Sequence, residues 1–102
     1  MLYSRKRDAN ESDHLKRWRD LGGSAFRILA AEKDAPDLVI GFQGLDALVE
    51  DKVPGKKPRK SQAEWHAKWR GRKVYVWNTL EDVMRTREEM GRESREWVDR
   101  HR

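Results

Sequence analysis

The centre of the chain carries the sequence PDLVIGFQGLDALVEDK at residues 36–52. Two strand-like runs, residues 36–42 and 45–52, lie on either side of the pair Gln43-Gly44. Glycine in a two-residue connection favours a tight hairpin turn, and both flanking runs are rich in residues that form strands. The stretch therefore predicts an antiparallel β-hairpin.

Counting outward from this turn pairs Leu38 with Val49 and Asp37 with Glu50. Because side chains alternate between the two faces of a strand, charge gathers at one end of one face, at Asp37, Glu50 and Lys52. Directly opposed carboxylates repel each other, and a divalent cation between them would remove the repulsion. The alternative is a solvated sheet edge with an ordinary Glu50–Lys52 pair. The other face is wholly apolar and must be buried: Leu38, Ile40, Phe42, Leu45, Ala47 and Val49.

Periodicity and capping signals predict further elements on both sides of the hairpin. Ser61 with Glu64, and Thr79 with Asp82, have the spacing of capping boxes at helix starts. The order predicts one α/β (α+β) domain over residues 1–102, with a mixed sheet flanked by helices. The expected elements are a basic flexible arm at 1–8, helix 9–21, strand 25–31, helix 61–70, strand 73–77 and a charged C-terminal helix within 79–102.

Composition narrows the classes of partner. The 102 residues carry a formal net charge of +5, which favours contact with phosphate backbones. The chain has no cysteine, which excludes disulfides and Cys-based metal sites, and it has no apolar run long enough to span a membrane. We expect a cytoplasmic protein. Only 36% of residues are hydrophobic, so pairing with a second copy would help to bury a thin core, and a homodimer is expected.

Pro36-Asp37 followed by Glu50-Asp51-Lys52 resembles the signature of PD-(D/E)XK nucleases. The wider chain resembles the small stand-alone VRR-NUC domains that are common in phages and related to Holliday-junction resolvases. The stretches that carry this resemblance are RDANE (7–11), PDLVIGFQG (36–44), LVEDK (48–52), GKKP (55–58), QAEWHAKWRG (62–71) and EDV (81–83).

The resemblance implies a restriction-endonuclease-like α-β-β-β-α-β core and a site for Mg²⁺ or Mn²⁺. Asp37, Glu50 and Glu11 would be metal ligands, and Lys52 would orient the attacking water or stabilise negative charge. Gln62 would match the polar residue on the helix after the catalytic strand. The middle residue of the second motif is usually apolar; here it is Asp51, whose backbone carbonyl would join the metal. We expect the Asp51 side chain to be exposed, to be paired with a nearby Arg or Lys, or to add charge near the metal.

Several other side chains are candidates for contact with DNA. Two basic groups would bind phosphates: Lys56, Lys57, Arg59 and Lys60 in the loop after the catalytic strand, and Arg5, Lys6 and Arg7 in the N-terminal arm. His66 is either a base or ligand or, as we expect, a structural histidine, and His14 belongs to no recognisable cluster. We expect four tryptophans in the core: Trp18, Trp65, Trp69 and Trp77.

The residues and the resemblance together predict a metal-dependent DNA endonuclease. Its preference for branched DNA such as Holliday junctions, and a phage origin, are implied by the resemblance alone. A first alternative is a DNA-binding module of the same fold that no longer cleaves. A second is a structural or interaction protein that works through its charged C-terminal helix.

Overall fold

The computed structural model describes the backbone of residues 2–29 and 32–102 and the side chains of residues 9–29 and 32–102. The order of helices and strands matches the sequence prediction, and the fold is α+β with a mixed sheet. The elements are α1 (Leu2–Asp20), β1 (Ser24–Arg27), β2 (Leu38–Phe42), β3 (Leu45–Asp51), α2 (Lys60–Lys68), β4 (Tyr75–Trp77) and α3 (Leu80–Arg100).

The four strands form one sheet in the order β1-β2-β3-β4. β1, β2 and β3 are antiparallel neighbours, whereas β4 runs parallel to β3 and is reached through α2. Leu38 pairs with Val49, which confirms the predicted hairpin register. Gln43 and Gly44 have φ angles of 50° and 85°. Two successive left-handed residues are typical of a type I′ turn, the turn that suits the twist of a hairpin.

The apolar face of the hairpin is covered by α1 and α3. Trp18 of α1 lies at the centre, with its ring centroid 5.6 Å from Phe42 and 5.5 Å from Trp77. The opposite face is covered only in part, by α2. The buried hydrophobic residues all belong to the covered face: Leu15, Trp18, Leu38, Ile40, Phe42, Ala47, Val49, Tyr75, Trp77, Val83 and Met90.

Of the two predicted capping boxes, the one at α3 is present and the one at α2 begins at a different residue. At α3, the Thr79 hydroxyl accepts from the Asp82 N–H at 3.3 Å and the Asp82 carboxylate accepts from the Thr79 N–H at 3.0 Å, as predicted. At α2, the predicted box at Ser61 is wrong: Gln62 Oε1 accepts from the Arg59 N–H at 2.9 Å, so Arg59 is the capping residue. The Ser61 hydroxyl instead contacts Asp34 at 3.0 Å, a tertiary contact that local sequence does not reveal.

The first helix and first strand also differ from prediction. α1 begins at Leu2, so residues 2–8 are helical, whereas the sequence predicts a basic arm there and a helix that begins at residue 9. The physical reason is the absence of Gly or Pro before residue 9. β1 ends at Arg27, and residues 30–31 of the predicted strand lie outside the described part of the chain.

Of the helices in the described ranges, none has the length and apolar character needed to cross a membrane.

Candidate active site

The carboxyl group of Glu50 is the centre of the candidate site. Glu50 points away from the apolar face, yet only 1% of its side chain is exposed. Lys52 Nζ lies 3.8 Å from Glu50 Oε2, and His66 Nε2 lies 3.9 Å from Glu50 Oε1. A carboxylate is costly to bury unless positive or proton-donating groups lie close to it. Lys52 from the same strand and His66 from α2 occupy those positions.

Asp37 lies immediately before β2, beside the end of β3. Its backbone N–H donates to the Val49 carbonyl at 2.9 Å, and its Oδ2 accepts from the Asp51 N–H at 2.8 Å. The strand ladder ends at the Leu38–Val49 pair, one pair short of the predicted Asp37–Glu50 pair. The Asp37 carboxylate therefore bonds the β3 backbone next to Glu50, and the two motif halves lie at the same end of the sheet.

The side chain of Asp51 is neither exposed nor paired with a lysine or an arginine among the described side chains. Its side chain is fully buried on the apolar face, where Oδ2 lies 2.6 Å from His14 Nδ1 and Oδ1 accepts from Asn10 Nδ2 at 3.2 Å. Burial raises the pKa of this carboxyl above its usual value, and the His14 contact opposes the rise. The partners are thus a histidine and an asparagine of α1, not a lysine or arginine, and His14 does belong to a cluster.

The backbone of Lys52 is held from two sides. Its N–H donates to the Trp77 carbonyl on β4 at 2.9 Å, and its carbonyl accepts from Asn10 Nδ2 at 3.0 Å. Asn10 therefore bonds both Asp51 and Lys52. Backbone hydrogen bonds of this kind fix where a strand ends and which way its last side chains point. They hold the Glu50-Asp51-Lys52 segment in place from α1 and β4.

His66 lies in the candidate site, whereas the sequence favours a structural histidine at this position. Its Nε2 is buried and has no hydrogen-bond partner among the described residues. Burial lowers the pKa of His66, and the nearby charge of Lys52 lowers it further, which favours the neutral imidazole at pH 7. One sequence signal pointed to it: His66 follows Gln62 by four residues, which places both on one face of α2.

Glu11 and Gln62 have other partners. Glu11 Oε1 forms an ion pair with Arg27 Nε, and Gln62 Oε1 caps α2. Within residues 9–29 and 32–102, no three His, Asp or Glu side chains are gathered closely enough to hold a metal ion. The structure therefore brings Glu50, Lys52 and His66 together, holds Asp37 against the β3 backbone next to them, and leaves Glu11 in its ion pair.

The basic loop after β3 is exposed and anchored. Asn78 Nδ2 donates to the Val53 carbonyl at 3.1 Å and to the Lys56 carbonyl at 2.8 Å, and Arg59 forms an ion pair with Asp34 at 3.3 Å. Lys56, Lys57 and Lys60 point to solvent. The side chains of Arg5, Lys6 and Arg7 lie outside the described part of the chain, so their contact with DNA stays a prediction.

Comparison with known proteins identifies the fold family. No family model matches the sequence, and no curated protein matches it. A solved structure described as a VRR_NUC domain matches with a TM-score of 0.68 and 26% sequence identity. The match covers 78% of this chain and 91% of that one. With the motif halves at one end of the same sheet, this match shows that the chain has the fold of a VRR_NUC domain and supports its assignment as a nuclease-type domain.

Proposed function

We propose that the chain is a Mg²⁺- or Mn²⁺-dependent DNA endonuclease that hydrolyses phosphodiester bonds at Glu50 and Lys52. The observation that carries the proposal is the buried Glu50 carboxylate, which lies within 4 Å of Lys52 Nζ and His66 Nε2. Burial of a carboxylate lowers the stability of the folded protein, and a strand end with a purely structural role has no need of a buried carboxylate. Such costly arrangements are concentrated at functional sites. The likeness to a VRR_NUC domain supports a nuclease function for this site.

The donor set suits a hard divalent cation. Asp37 and Glu50 supply carboxylate oxygens, the backbone carbonyl of Asp51 could add a third, and neutral His66 offers a nitrogen that Mn²⁺ accepts. Glu11 would have to leave its Arg27 partner to join them. A bound divalent metal would polarise the phosphate and lower the pKa of a bound water.

The other residues act by charge and position. Lys52 is held by its backbone at the strand end, and its ammonium group stabilises the negative charge that develops on the phosphate. Neutral His66 can hydrogen-bond a water or a phosphate oxygen. Lys56, Lys57, Arg59 and Lys60 bind the DNA backbone beside the cut. Gln62 positions this region because it fixes the start of α2, the helix that carries His66.

The finer features of the proposal rest on the resemblance. Branched DNA, including Holliday junctions, would be recognised through backbone contacts rather than base edges. Two sites in a homodimer would cut opposing strands of a junction. The enzyme would act in the cytoplasm, including that of a phage-infected host.

One observation favours a second candidate, a DNA-binding module of the same fold without cleavage. Glu11 is engaged by Arg27, and the metal ligands implied by the resemblance are not gathered in the described structure. This candidate predicts DNA binding that is unaffected by Mn²⁺ and the absence of cleavage with any metal.

Calorimetric titration with Mn²⁺ separates the two candidates. Wild-type protein is expected to bind Mn²⁺, and Glu50→Gln is expected to abolish this binding because the variant removes a charged ligand. Glu88→Gln is the matched control, since Glu88 lies exposed on α3 and loses the same charge. Cleavage of four-way junction, flap, duplex and single-stranded DNA with Mg²⁺ or Mn²⁺ then identifies the substrate. No Mn²⁺ binding and no cleavage of any substrate would contradict the proposal.

A further inference from the structure

Two tryptophans at the end of α2 are stacked on each other outside the core. Trp65 lies in the helix, and Trp69 is the residue that caps its C-terminal end. Their ring centroids are 5.3 Å apart and the rings are only 13° from parallel. Trp69 is 45% exposed, whereas Trp18 and Trp77 of the core have no exposed surface. The expectation that all four tryptophans belong to the core is therefore wrong for Trp69, and Trp65 is only partly buried.

The stacked pair is fixed in place. Trp65 Nε1 donates to Glu32 Oε1 at 3.1 Å, which sets the orientation of the inner ring. The outer ring lies over Gly71: a Cβ atom at that position would come within 2.7 Å of Trp69 Nε1. Glycine therefore leaves the space that the indole of Trp69 occupies. A fixed aromatic ring loses little conformational freedom when a second flat group binds to it.

The pair lies beside the candidate active site. Trp65 contacts His66 edge to face, with ring centroids 6.5 Å apart, and His66 lies 3.9 Å from Glu50. Trp69 also lines an open groove of about 200 Å³ over the partly covered face of the sheet. The groove is mostly apolar, and its lining includes Val39, Leu48 and Gly71. Leu48 of this groove lies on β3 two residues before Glu50, so the two side chains are on the same face of the sheet.

The charges around Trp69 favour a nucleotide as the occupant. Lys68 and Arg70 flank Trp69 in the sequence, and both are exposed. Lys60, at the start of the same helix, is exposed as well. An aromatic ring between cations binds a base by stacking and the neighbouring phosphates by charge. Inside a paired duplex both faces of each base are covered by its neighbours, so an internal paired base cannot stack on Trp69, whereas an unpaired base can.

We propose that the Trp65–Trp69 pair is a stacking platform for an unpaired nucleobase next to the scissile phosphate. The substrate class is thereby DNA with single-stranded nucleotides at the cut, such as a flap, a fork or a branch point. This inference rests on the proposed function, because it takes DNA as the ligand. It assigns Trp69 to substrate binding and not to the chemistry.

Fluorescence anisotropy without added metal tests the platform apart from cleavage. The probes are a labelled single strand of mixed sequence and the same strand annealed to its complement. Trp69→Ala is expected to weaken single-strand binding by about 10-fold, within the range for loss of one base stack, and to change duplex binding by less than about 2-fold. Trp69→Phe is expected to retain most of the single-strand affinity. Trp97→Ala is the matched control, because Trp97 is 53% exposed on α3 and away from the site.

Three outcomes would overturn the inference. The first is an unchanged single-strand affinity in Trp69→Ala, and the second is an equal loss for duplex and single strand. The third is a change of oligomeric state in Trp69→Ala, seen by size-exclusion chromatography, which would assign the rings to contact between two copies. Thermal unfolding by circular dichroism confirms that each variant is folded. The binding assay does not depend on cleavage, so failure of the inference can be distinguished from failure of the proposed function. A protein that binds single strands through Trp69 but cleaves no substrate would contradict the proposed function and would still support the stacking platform.

Discussion

The contacts of the Asp51 side chain explain how a charged residue can occupy a position that faces the apolar layer. Its carboxylate contacts His14 and Asn10 of α1, and Asn10 also bonds the Lys52 carbonyl. The same strand end presents Glu50 and Lys52 to the opposite face. A buried polar network on one side therefore fixes the backbone that carries the candidate site on the other.

The His14–Asp51 contact is expected to be strongly coupled. His14→Ala and Asp51→Ala are each expected to lower the free energy of unfolding by about 3 kcal/mol, because each leaves a buried polar partner unpaired. The double variant is expected to lose about 2 kcal/mol less than the sum of the two. Urea unfolding measures all three, and Asp51→Asn provides a milder change. If the two single losses add within about 0.5 kcal/mol, the contact does not hold α1 to β3.

Tyr75 on β4 predicts a pH dependence of stability. Burial is the main cause that raises its pKa to about 12, above the value of about 10 expected in the unfolded chain. The folded state thus favours the neutral phenol, so its contribution is fully present below about pH 10 and is lost as pH rises toward 12. Tyr75→Phe, which cannot ionise, is expected to lose about 2 kcal/mol less than wild type over this interval. Parallel stability curves for the two proteins between pH 9 and pH 12 would contradict the prediction.

Local sequence predicted which hairpin residues lie at the same end of the sheet, but not which residues from other elements contact them. Asp37, Glu50 and Lys52 follow from a turn and an alternation contained within residues 36–52. His14 is 37 residues from Asp51, and only the packing of α1 brings them together. His66 lies near Glu50 because α2 connects β3 to β4 across one face of the sheet. The periodicity of the sequence does not predict where this connection runs.

At the scale of elements, α3 is the helix whose capping and packing are best defined. Thr79 and Asp82 cap its start, and Val83, Thr86, Met90 and Gly91 are buried along one face. The Thr86 hydroxyl accepts from Trp77 Nε1 at 2.9 Å, which joins the helix to β4. The start of α3 was predictable because both cap residues are local. The start of α2 was not, because Asp34 from a distant loop binds the Ser61 hydroxyl.

Gly91 offers a test of α3. A Cβ atom at this position would lie 3.5 Å from Phe42 and 3.4 Å from Arg95, which are ordinary contact distances. Gly91→Ala is therefore expected to raise the free energy of unfolding by about 0.5 to 1 kcal/mol, the helix-propensity difference between the two residues. Gly71→Ala is the contrasting variant, because its Cβ would lie 2.7 Å from Trp69 Nε1 and force the ring to move. Thermal or urea unfolding measures both. A loss of stability in Gly91→Ala would show that the helix packs more tightly against β2 than these distances indicate.

At the scale of the whole molecule, one face of the sheet packs the hydrophobic core and the other face carries the candidate site. One face, with α1 and α3, holds the core and its aromatic rings. The other, with α2, carries Glu50, Lys52, His66 and the open groove beside Trp69. The net charge of +5 was visible in the sequence and predicted a phosphate partner. The sequence predicted only for the hairpin which side chains lie on each face of the sheet. The sequence of α2 does not indicate which face of the sheet that helix covers.

The basic loop predicts how DNA binding depends on salt. Replacing Lys56, Lys57 and Lys60 with alanine is expected to reduce the slope of log Kd against log salt concentration by about 2 to 3, because each phosphate contact releases a counterion. Anisotropy titrations of duplex DNA at several salt concentrations measure the slope. The control replaces three exposed cations of α3, Arg85, Arg92 and Arg100, and makes the same change in net charge. An equal effect of the two triple variants would mean that net charge, rather than this loop, binds the DNA.

The proposed nuclease site is tested most directly by the single-turnover rate of DNA cleavage in Lys52→Met. With saturating Mn²⁺ and the substrate that wild-type protein cleaves best, we expect the rate to fall by at least about 100-fold, the effect of removing one preorganised group that stabilises developing charge. Lys16→Met, which removes an exposed charge from α1, is expected to cleave within about threefold of wild type. Cleavage by Lys52→Met at the wild-type rate, or an equal loss in Lys16→Met, would contradict a catalytic site at the end of β3.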